Sequence, residues 1–143
     1  MTAAGRALGV DLGERRIGLA LSDPQRIVAS PHDVLVRSGD RGNDARRVVE
    51  IARAEGVTTI VVGLPLSLSG REGPAARVAR ADIDELRGLA APDIDVEVQD
   101  ERLTTVTAER ALREAKLPRA RQRDVVDKVA AAVMLQAWLE RHA

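Results

Sequence analysis

The sequence has no cysteine, phenylalanine or tyrosine, and Trp138 is its one aromatic residue. Without cysteine, disulfides and thiolate metal sites are excluded, and two histidines are too few to favour a structural zinc site. The lack of aromatic rings also argues against a protein that stacks the bases of single-stranded nucleic acid. The core must consist of Val, Leu, Ile and Ala, a composition that suits a parallel sheet covered by Ala-rich helices.

Long apolar runs are absent as well. No stretch reaches the roughly 18 residues needed to span a bilayer, and the N-terminus has no signal-peptide core. We therefore expect a soluble, cytoplasmic protein without a membrane partner. The 143 residues, which show no repeat, linker or low-complexity stretch, predict a single domain over residues 1–143.

The formal net charge is zero, with 22 basic and 22 acidic residues, but the charge is unevenly distributed. Residues 110–123 hold six basic residues against Glu114 alone, a local charge of +5. Such a patch can bind phosphates by releasing counterions, although a solvated helix face would have the same composition. The six residues are Arg110, Arg113, Lys116, Arg119, Arg121 and Arg123.

The hydrophobic pattern predicts five strands and four helices. Gly13–Arg15 is predicted to be a hairpin turn in which the glycine adopts a positive φ, and Ser30-Pro31 is predicted to break the chain before the third strand. The predicted strands cover residues 6–12, 16–22, 32–37, 58–63 and 94–99, and the predicted helices cover residues 44–55, 74–89, 105–116 and 123–141.

This order of elements predicts an α/β fold. Three antiparallel strands followed by parallel β/α units would form a mixed five-stranded sheet with helices on both faces. That is the layout of the ribonuclease H-like architecture.

Three carboxylates occupy positions where an unpaired charge would be costly. Asp11 interrupts an apolar strand, Glu101 follows an alternating strand, and Asp127 lies within an almost wholly apolar helix. A shared divalent cation would stabilise all three and would indicate phosphoryl-transfer chemistry.

Each acid also has a structural interpretation. Asp11 could turn the chain or pair with Arg15 or Arg16. Asp127 could sit in the first turn of a helix capped by Asp124, where the helix dipole favours a negative charge.

At the end of the fifth strand, alternation groups Glu101 with Asp95, Glu97 and Gln99. Asp100 shares the other face with the apolar residues. Because the pleat often breaks at a strand end, either Asp100 or Glu101 could point at the site. Both could also cap the following helix.

Five motifs follow one another along the chain: Gly9-Val10-Asp11-Leu12-Gly13, Arg16-Ile17-Gly18-Leu19-Ala20, Val62-Gly63-Leu64-Pro65-Leu66, Asp100-Glu101-Arg102-Leu103-Thr104-Thr105 and Asp127-Lys128-Val129-Ala130-Ala131. Together and in this order, they resemble the YqgF family, also called RuvX, of the ribonuclease H-like superfamily. The resemblance extends from about residue 6 to residue 139.

The resemblance implies a metal-dependent endonuclease in which Asp11, Glu101 and Asp127 are both the catalytic acids and the metal ligands. It favours Glu101 over Asp100. One or two Mg²⁺ or Mn²⁺ ions would suit these oxygen ligands. The basic residues expected to contact nucleic acid are Arg15, Arg16, Arg102, Lys116, Arg119, Arg121 and Arg123.

The family has two proposed substrates, the 5′ region of the 16S rRNA precursor and the four-way DNA junction. A resolvase normally needs a two-fold dimer to make paired cuts, and the sequence has no large apolar patch that would predict a dimer. We therefore expect a monomer or homodimer that processes precursor rRNA. Cleavage of branched DNA is the alternative. An actin-like ATPase or a catalytically silent binding module is a weaker alternative.

The chain departs from the family pattern at two places. Residues 67–70 read Ser-Leu-Ser-Gly where the family often has Asn-Met-Asp-Gly, and Gly63 stands where many superfamily relatives have an acid. Glu101 must therefore supply the second ligand from the fifth strand.

Overall fold

The computed structural model describes residues 5–64, 71, 73–100 and 119–143, with residues 119–126 described by their backbone alone. Within these ranges, the chain forms one five-stranded sheet and three helices. No helix of the described ranges has both the length and the apolar character that crossing a bilayer requires.

The five strands form a mixed sheet in the order β3-β2-β1-β4-β5. β1, β2 and β3 are antiparallel neighbours, whereas β4 runs parallel to β1, and β5 runs parallel to β4. The predicted sheet is therefore confirmed. The strands are β1 (Arg6–Leu12), β2 (Arg16–Ser22), β3 (Ala29–Val36), β4 (Val57–Leu64) and β5 (Asp95–Asp100).

The three helices cover both faces of the sheet, as predicted. They are α1 (Arg41–Ala54), α2 (Pro74–Ala90) and α3 (Arg119–Arg141). α1 and α2 pack on one face, over a core that includes Leu8, Val10 and Ile60. α3 packs on the other face, where Ala131, Leu135 and Trp138 of the helix bury small residues of the strands. The predicted helix over residues 105–116 lies outside the described residues.

β3 begins at Ala29, three residues before its predicted start, and continues through the proline that was expected to break it. Leu19 pairs with Asp33 and Ala20 with Pro31, so His32 is the extra residue of a bulge. β3 is the edge strand of the sheet. Proline is tolerated at an edge because its missing N–H need not join a ladder.

The Gly13–Arg15 turn is confirmed, but the reason given for its glycine is wrong. Gly13 is not among the residues with positive φ. A Cβ at Gly13 would instead lie 2.7 Å from the carbonyl oxygen of Arg16, to which the Gly13 amide donates over 2.9 Å. Glycine is needed here because the backbone of the turn folds tightly onto itself.

Two glycines in the sheet allow α3 to approach closely. A Cβ at Gly9 would lie 2.8 Å from the Leu135 Cβ and 3.0 Å from the Ala131 carbonyl oxygen. A Cβ at Gly18 would overlap the carbonyl group of Asp127 and lie 3.1 Å from the Asp127 Cα. The helix therefore contacts the strands partly through its own backbone.

The loop over residues 23–28 holds the second half of α3 in place. The Gln136 side chain of α3 accepts a hydrogen bond from the Ala29 amide at 2.8 Å and donates to the Ile27 carbonyl at 3.1 Å. Arg26, whose φ is +58°, lies over the Trp138 ring at 5.5 Å and donates to the Gly5 carbonyl. These contacts tie the helix to the loop and to the start of β1.

Replacement of Gly18 by alanine tests the close approach of α3. Because the added Cβ meets backbone that cannot rotate away, we expect Gly18→Ala to lower the free energy of unfolding by about 1–3 kcal/mol. Gly88→Ala is the matched control: Gly88 is an exposed residue of α2 with open space around its Cβ position, so this variant should gain about 0.5–1 kcal/mol. Urea denaturation of both variants measures the difference, and equal stability would contradict the packing described.

The Asp23 carboxylate predicts a pH effect on the 23–28 loop. The Val28 amide, followed by those of Ile27 and Gln25, donates to this carboxylate and holds its pKa below the ordinary value. A lowered folded-state pKa stabilises the fold above the unfolded pKa, near pH 4, and the benefit is lost as the pH falls through the folded value. The melting temperature of wild type should exceed that of Asp23→Asn at pH 7, and the two should converge as the pH falls through the lowered pKa of Asp23. A pH-independent difference would exclude this linkage.

Candidate active site

Asp11 lies near the carboxyl end of β1, on the sheet face that α3 covers. Along β1, Ala7 is buried against α3 and Gly9 contacts the helix, so alternation places Asp11 on the same side. Its cross-strand partner is Gly18 of β2. Asp11 is half-buried, as expected for an acid that remains reachable at the rim of a sheet.

Asp127 occupies a different position in its helix from the one that the dipole interpretation requires. α3 begins at Arg119, four residues before its predicted start, so Asp124 lies inside the helix and cannot be its N-cap. Asp127 is the ninth residue of α3, about two turns from the N-terminus. The dipole effect is confined to the first turn, so it does not explain this acid.

The glycine contacts place the backbone of Asp127 near the strand position opposite Asp11. The Asp127 backbone packs against Gly18, and Gly18 lies directly across the β1–β2 ladder from Asp11. Opposed residues of an antiparallel pair are roughly 4.5–5.5 Å apart at Cα, with their side chains on the same face. Two acids separated by more than a hundred residues in sequence therefore occupy one face of the sheet, on either side of a glycine.

The third predicted acid, Glu101, lies outside the described residues, and so does Arg102. The strand that precedes it is informative. Gln99 pairs with Gly63, whereas Asp100 pairs with Leu64, which belongs to the core under α1 and α2. The pleat therefore directs Asp100 away from the α3 face and Gln99 towards it.

The α3 face offers little side-chain bulk at this end of the sheet. Gly18 and Gly63 have no side chains. Val62 pairs with Val10, so Gly63 and Asp11, the next residues along their strands, lie at the same end of the sheet. Gly63 therefore contributes no side chain next to the position of Val10 and Asp11. Gln99 is buried here, with 5% of its surface exposed, and brings an amide to the site that the sequence patterns did not identify.

The predicted phosphate-binding arginines are only partly described. Arg15 is exposed in the Gly13–Arg15 turn that follows β1, and Arg16 is half-buried at the start of β2, two residues before Gly18. Arg119, Arg121 and Arg123 belong to the first two turns of α3, on the helix that carries Asp127. Lys116 lies outside the described residues.

An ion-pair cluster behind the Gly13–Arg15 turn was not predicted. Arg37 donates to the Gly13 carbonyl at 2.7 Å and forms an ion pair with Asp82 of α2 at 3.2 Å. Arg41 binds the same carboxylate at 3.0 Å. Arg37 and Asp82 are 45 residues apart, so no local pattern could have paired them.

The oxygen ligands of this face suit a hard divalent cation. Carboxylates and amide oxygens are preferred by Mg²⁺ and Mn²⁺, and the described residues here contribute no sulfur or imidazole. Within the described ranges there is no group of three or more acids or histidines spaced to hold a metal ion. Asp11 and Asp127 are two candidate ligands, and residue 101 lies beyond those ranges.

Comparison with known proteins shows many relatives of this chain. A Rhodococcus opacus protein that carries the provisional name pre-16S rRNA nuclease is 45% identical over 142 residues, which are 97% of this chain and 79% of that protein. Proteins with the same name from Roseiflexus sp. and Pelotomaculum thermopropionicum are 44% and 46% identical and cover 95% and 94% of this chain. The matched regions are 94% and 86% of those two proteins.

Solved structures show the same fold at much lower identity. Thermus thermophilus RuvC in complex with a Holliday junction substrate matches with a TM-score of 0.60 and 16% identity, over 96% of both chains. A second structure of T. thermophilus RuvC matches with a TM-score of 0.58 and 14% identity. These matches confirm the predicted ribonuclease H-like fold.

The family comparison agrees with the motifs and with the fold. The model described as "RuvX: Holliday junction resolvase" matches residues 5–141. That range contains all five strands of the sheet, as well as Asp11 and Asp127. The chain belongs to the RuvX family.

Proposed function

We propose that this protein is a metal-dependent endonuclease that hydrolyses phosphodiesters of nucleic acid, with Asp11, Glu101 and Asp127 as its catalytic acids. The observation that supports the proposal is that the Asp127 backbone packs against Gly18, the strand partner of Asp11. The family membership and the nuclease names of the relatives support the same reaction.

The proposed cofactor is one or two Mg²⁺ or Mn²⁺ ions held by these three acids. Such an ion, when bound, stabilises negative charge on the phosphate and lowers the pKa of a water molecule. Asp11 and Asp127 would hold it from two sides, one from a strand and one from a helix. Neither element can shift easily, because the backbone of α3 is in contact with the strands at Gly9 and Gly18.

The remaining residues would orient the substrate. Arg15 in the turn after β1 and Arg16 at the start of β2 would hold the phosphates next to the scissile bond. Arg119, Arg121 and Arg123, at the start of α3, would bind the backbone farther along the strand, together with Arg102 and Lys116. With Trp138 buried as the one aromatic residue, base stacking has no platform, so we expect backbone contacts to dominate binding.

We propose the 5′ end of precursor 16S rRNA as the substrate, and the cytoplasm as the place of action. The names of the relatives support this choice. The alternative is a four-way DNA junction, which the description of the family model favours. Junction cleavage requires two active sites in one complex, so a homodimer would accompany that activity, whereas a monomer suffices for RNA processing.

Replacement of the catalytic acids tests the reaction. With Mn²⁺ present, wild type should cleave a precursor 16S rRNA fragment faster than a synthetic four-way junction. Asp11→Asn and Asp127→Asn should each lower the rate on the preferred substrate by at least about a hundredfold, because each removes charge that stabilises the transition state. Both variants should fold, and their metal-free forms should melt at or above the wild-type temperature since charge repulsion is relieved.

Glu140→Gln is the matched control for these variants. Glu140 is an exposed acid of α3 at the far end of the helix from Asp127, so its replacement should leave the rate unchanged. Wild-type rates in Asp11→Asn would contradict the proposed site. Faster cleavage of the junction, with a dimer in solution, would select the alternative substrate.

The arginines at the start of α3 give a second prediction. Combined replacement of Arg119, Arg121 and Arg123 by alanine should weaken nucleic-acid binding and reduce the slope of log K against log salt by about two to three, since each lost phosphate contact removes about 0.7–0.9. Fluorescence anisotropy at several salt concentrations measures the slope.

The control for that variant removes the same charge elsewhere. Arg46, Arg77 and Arg141 are exposed residues of α1, α2 and the end of α3. Their combined replacement by alanine should leave the slope within about half a unit of wild type. Equal losses in the two triple variants would show that net charge alone is responsible and would exclude a localised phosphate-binding segment.

A further inference from the structure

Arg37 holds the Gly13–Arg15 turn through two hydrogen bonds. It follows β3, which ends at Val36, and its backbone amide donates to the Arg15 carbonyl at 2.8 Å. Its side-chain Nε donates to the Gly13 carbonyl at 2.7 Å. A single residue therefore binds two of the three carbonyls of this turn, those of Gly13 and Arg15.

The rest of the Arg37 guanidinium is held by Asp82 of α2. Its two terminal nitrogens donate to the two carboxylate oxygens of Asp82 at 3.4 and 3.2 Å. Asp82 is 5% exposed, and 17% of the Arg37 side chain is exposed. A paired, two-point contact of this kind fixes the plane of a guanidinium as well as its position. The Nε–H that reaches Gly13 is thereby aimed by α2.

A buried ion pair of this kind contributes orientation more readily than stability. Removing two charges from water costs several kcal/mol per ion, and the attraction between them often returns no more than that. Arg41 adds a second cation to Asp82 at 3.0 Å, with 45% of its side chain exposed, but it makes no hydrogen bond to the turn among those of the described residues. Within the described part of the chain, Arg37 is the residue that connects Asp82 to the turn.

The cluster and the candidate active site lie on opposite faces of the sheet. Arg37 and Asp82 line a cleft with Leu12 and Val78, on the side covered by α1 and α2. Asp11 points to the face covered by α3. An effect of Arg37 on the reaction must therefore pass through the backbone of the turn, which joins the end of β1 to Arg15.

We propose that Arg37, aimed by Asp82, is a positioning residue for the reaction: it fixes the Gly13–Arg15 turn and so sets the end of β1 at Asp11 and the place of Arg15. This inference rests on the proposed function, because Asp11 and Arg15 belong to the site proposed there. Displacement of a reacting group by about 1 Å can cost about a hundredfold in rate.

The test compares Arg37→Lys with Arg41→Lys. Both variants keep the positive charge but replace the guanidinium, which contacts Asp82, with a single ammonium group. Of the two, Arg37→Lys also removes the side-chain hydrogen bond to the Gly13 carbonyl. We expect Arg37→Lys to lower kcat about tenfold to a hundredfold with KM within about twofold of wild type, measured with Mn²⁺ on the preferred substrate. Arg41→Lys should keep kcat within about twofold.

Amide hydrogen exchange supplies a readout that does not depend on cleavage. The Gly13 and Arg37 amides donate to Arg16 and Arg15 across the turn, so both should exchange faster in Arg37→Lys and at the wild-type rate in Arg41→Lys. Should Arg37→Lys fail to fold, Asp82→Asn replaces it, because the amide oxygen keeps an acceptor while the paired contact is lost. The same loss of kcat and the same faster exchange are expected.

Each outcome has a separate meaning. Full kcat in Arg37→Lys, with Asp11→Asn inactive, would overturn the positioning role and leave the proposed function intact. Unchanged exchange at Gly13 would overturn it as well, since the turn would not depend on Arg37. Equal cleavage by wild type and Asp11→Asn would instead overturn the proposed function on which the inference rests.

Discussion

The backbone of α3 touches the backbone of the sheet at Gly18, and the position of the candidate site depends on this contact. At most helix–sheet contacts, side chains separate the two backbones and can adjust by changing rotamer. At Gly18 there is no side chain on the strand, and the helix presents the carbonyl group of Asp127 itself. Any larger residue would move the helix outward and carry Asp127 away from Asp11. Because Gly18 of β2 has no side chain, α3 can approach closely, and the distance between Asp11 of β1 and Asp127 of α3 depends on this glycine.

The sequence predicts the elements well where local chemistry decides them. The end of α1 was predicted to within one residue, because Gly56, with a φ of +71°, follows it. Its start lies three residues before the predicted residue 44, because Asp40 caps the helix by accepting from the Asn43 amide. β4 was predicted from its β-branched run alone. β3 and α3 were misplaced because tertiary context decided their starts. Pro31 is tolerated only because β3 lies at the edge, and Asp124, a good capping residue, is passed over by a helix that begins directly after Pro118.

The site was predictable in its acids but not in their surroundings. Asp11 and Asp127 stand out because a charge in an apolar strand or helix needs a partner. The alternation of β5 separates Asp100 from Gln99, although sequence alone could not exclude a break in the pleat. Arg37 and Asp82 carry no such mark: each is an ordinary charged residue in its own segment, and only the fold brings them together. The order of the five motifs, rather than the physics of any one residue, indicated the family.

The bulge at His32 and the proline beside it have a consequence for assembly. An open strand edge is a template for another chain, and proteins protect such edges with prolines and bulges that interrupt the row of free amides. β3 has both within two residues, at the outer border of the sheet. Two copies of this chain therefore cannot readily join their sheets along β3. Self-association at that border is disfavoured by the backbone itself, so a homodimer would have to meet at some other surface.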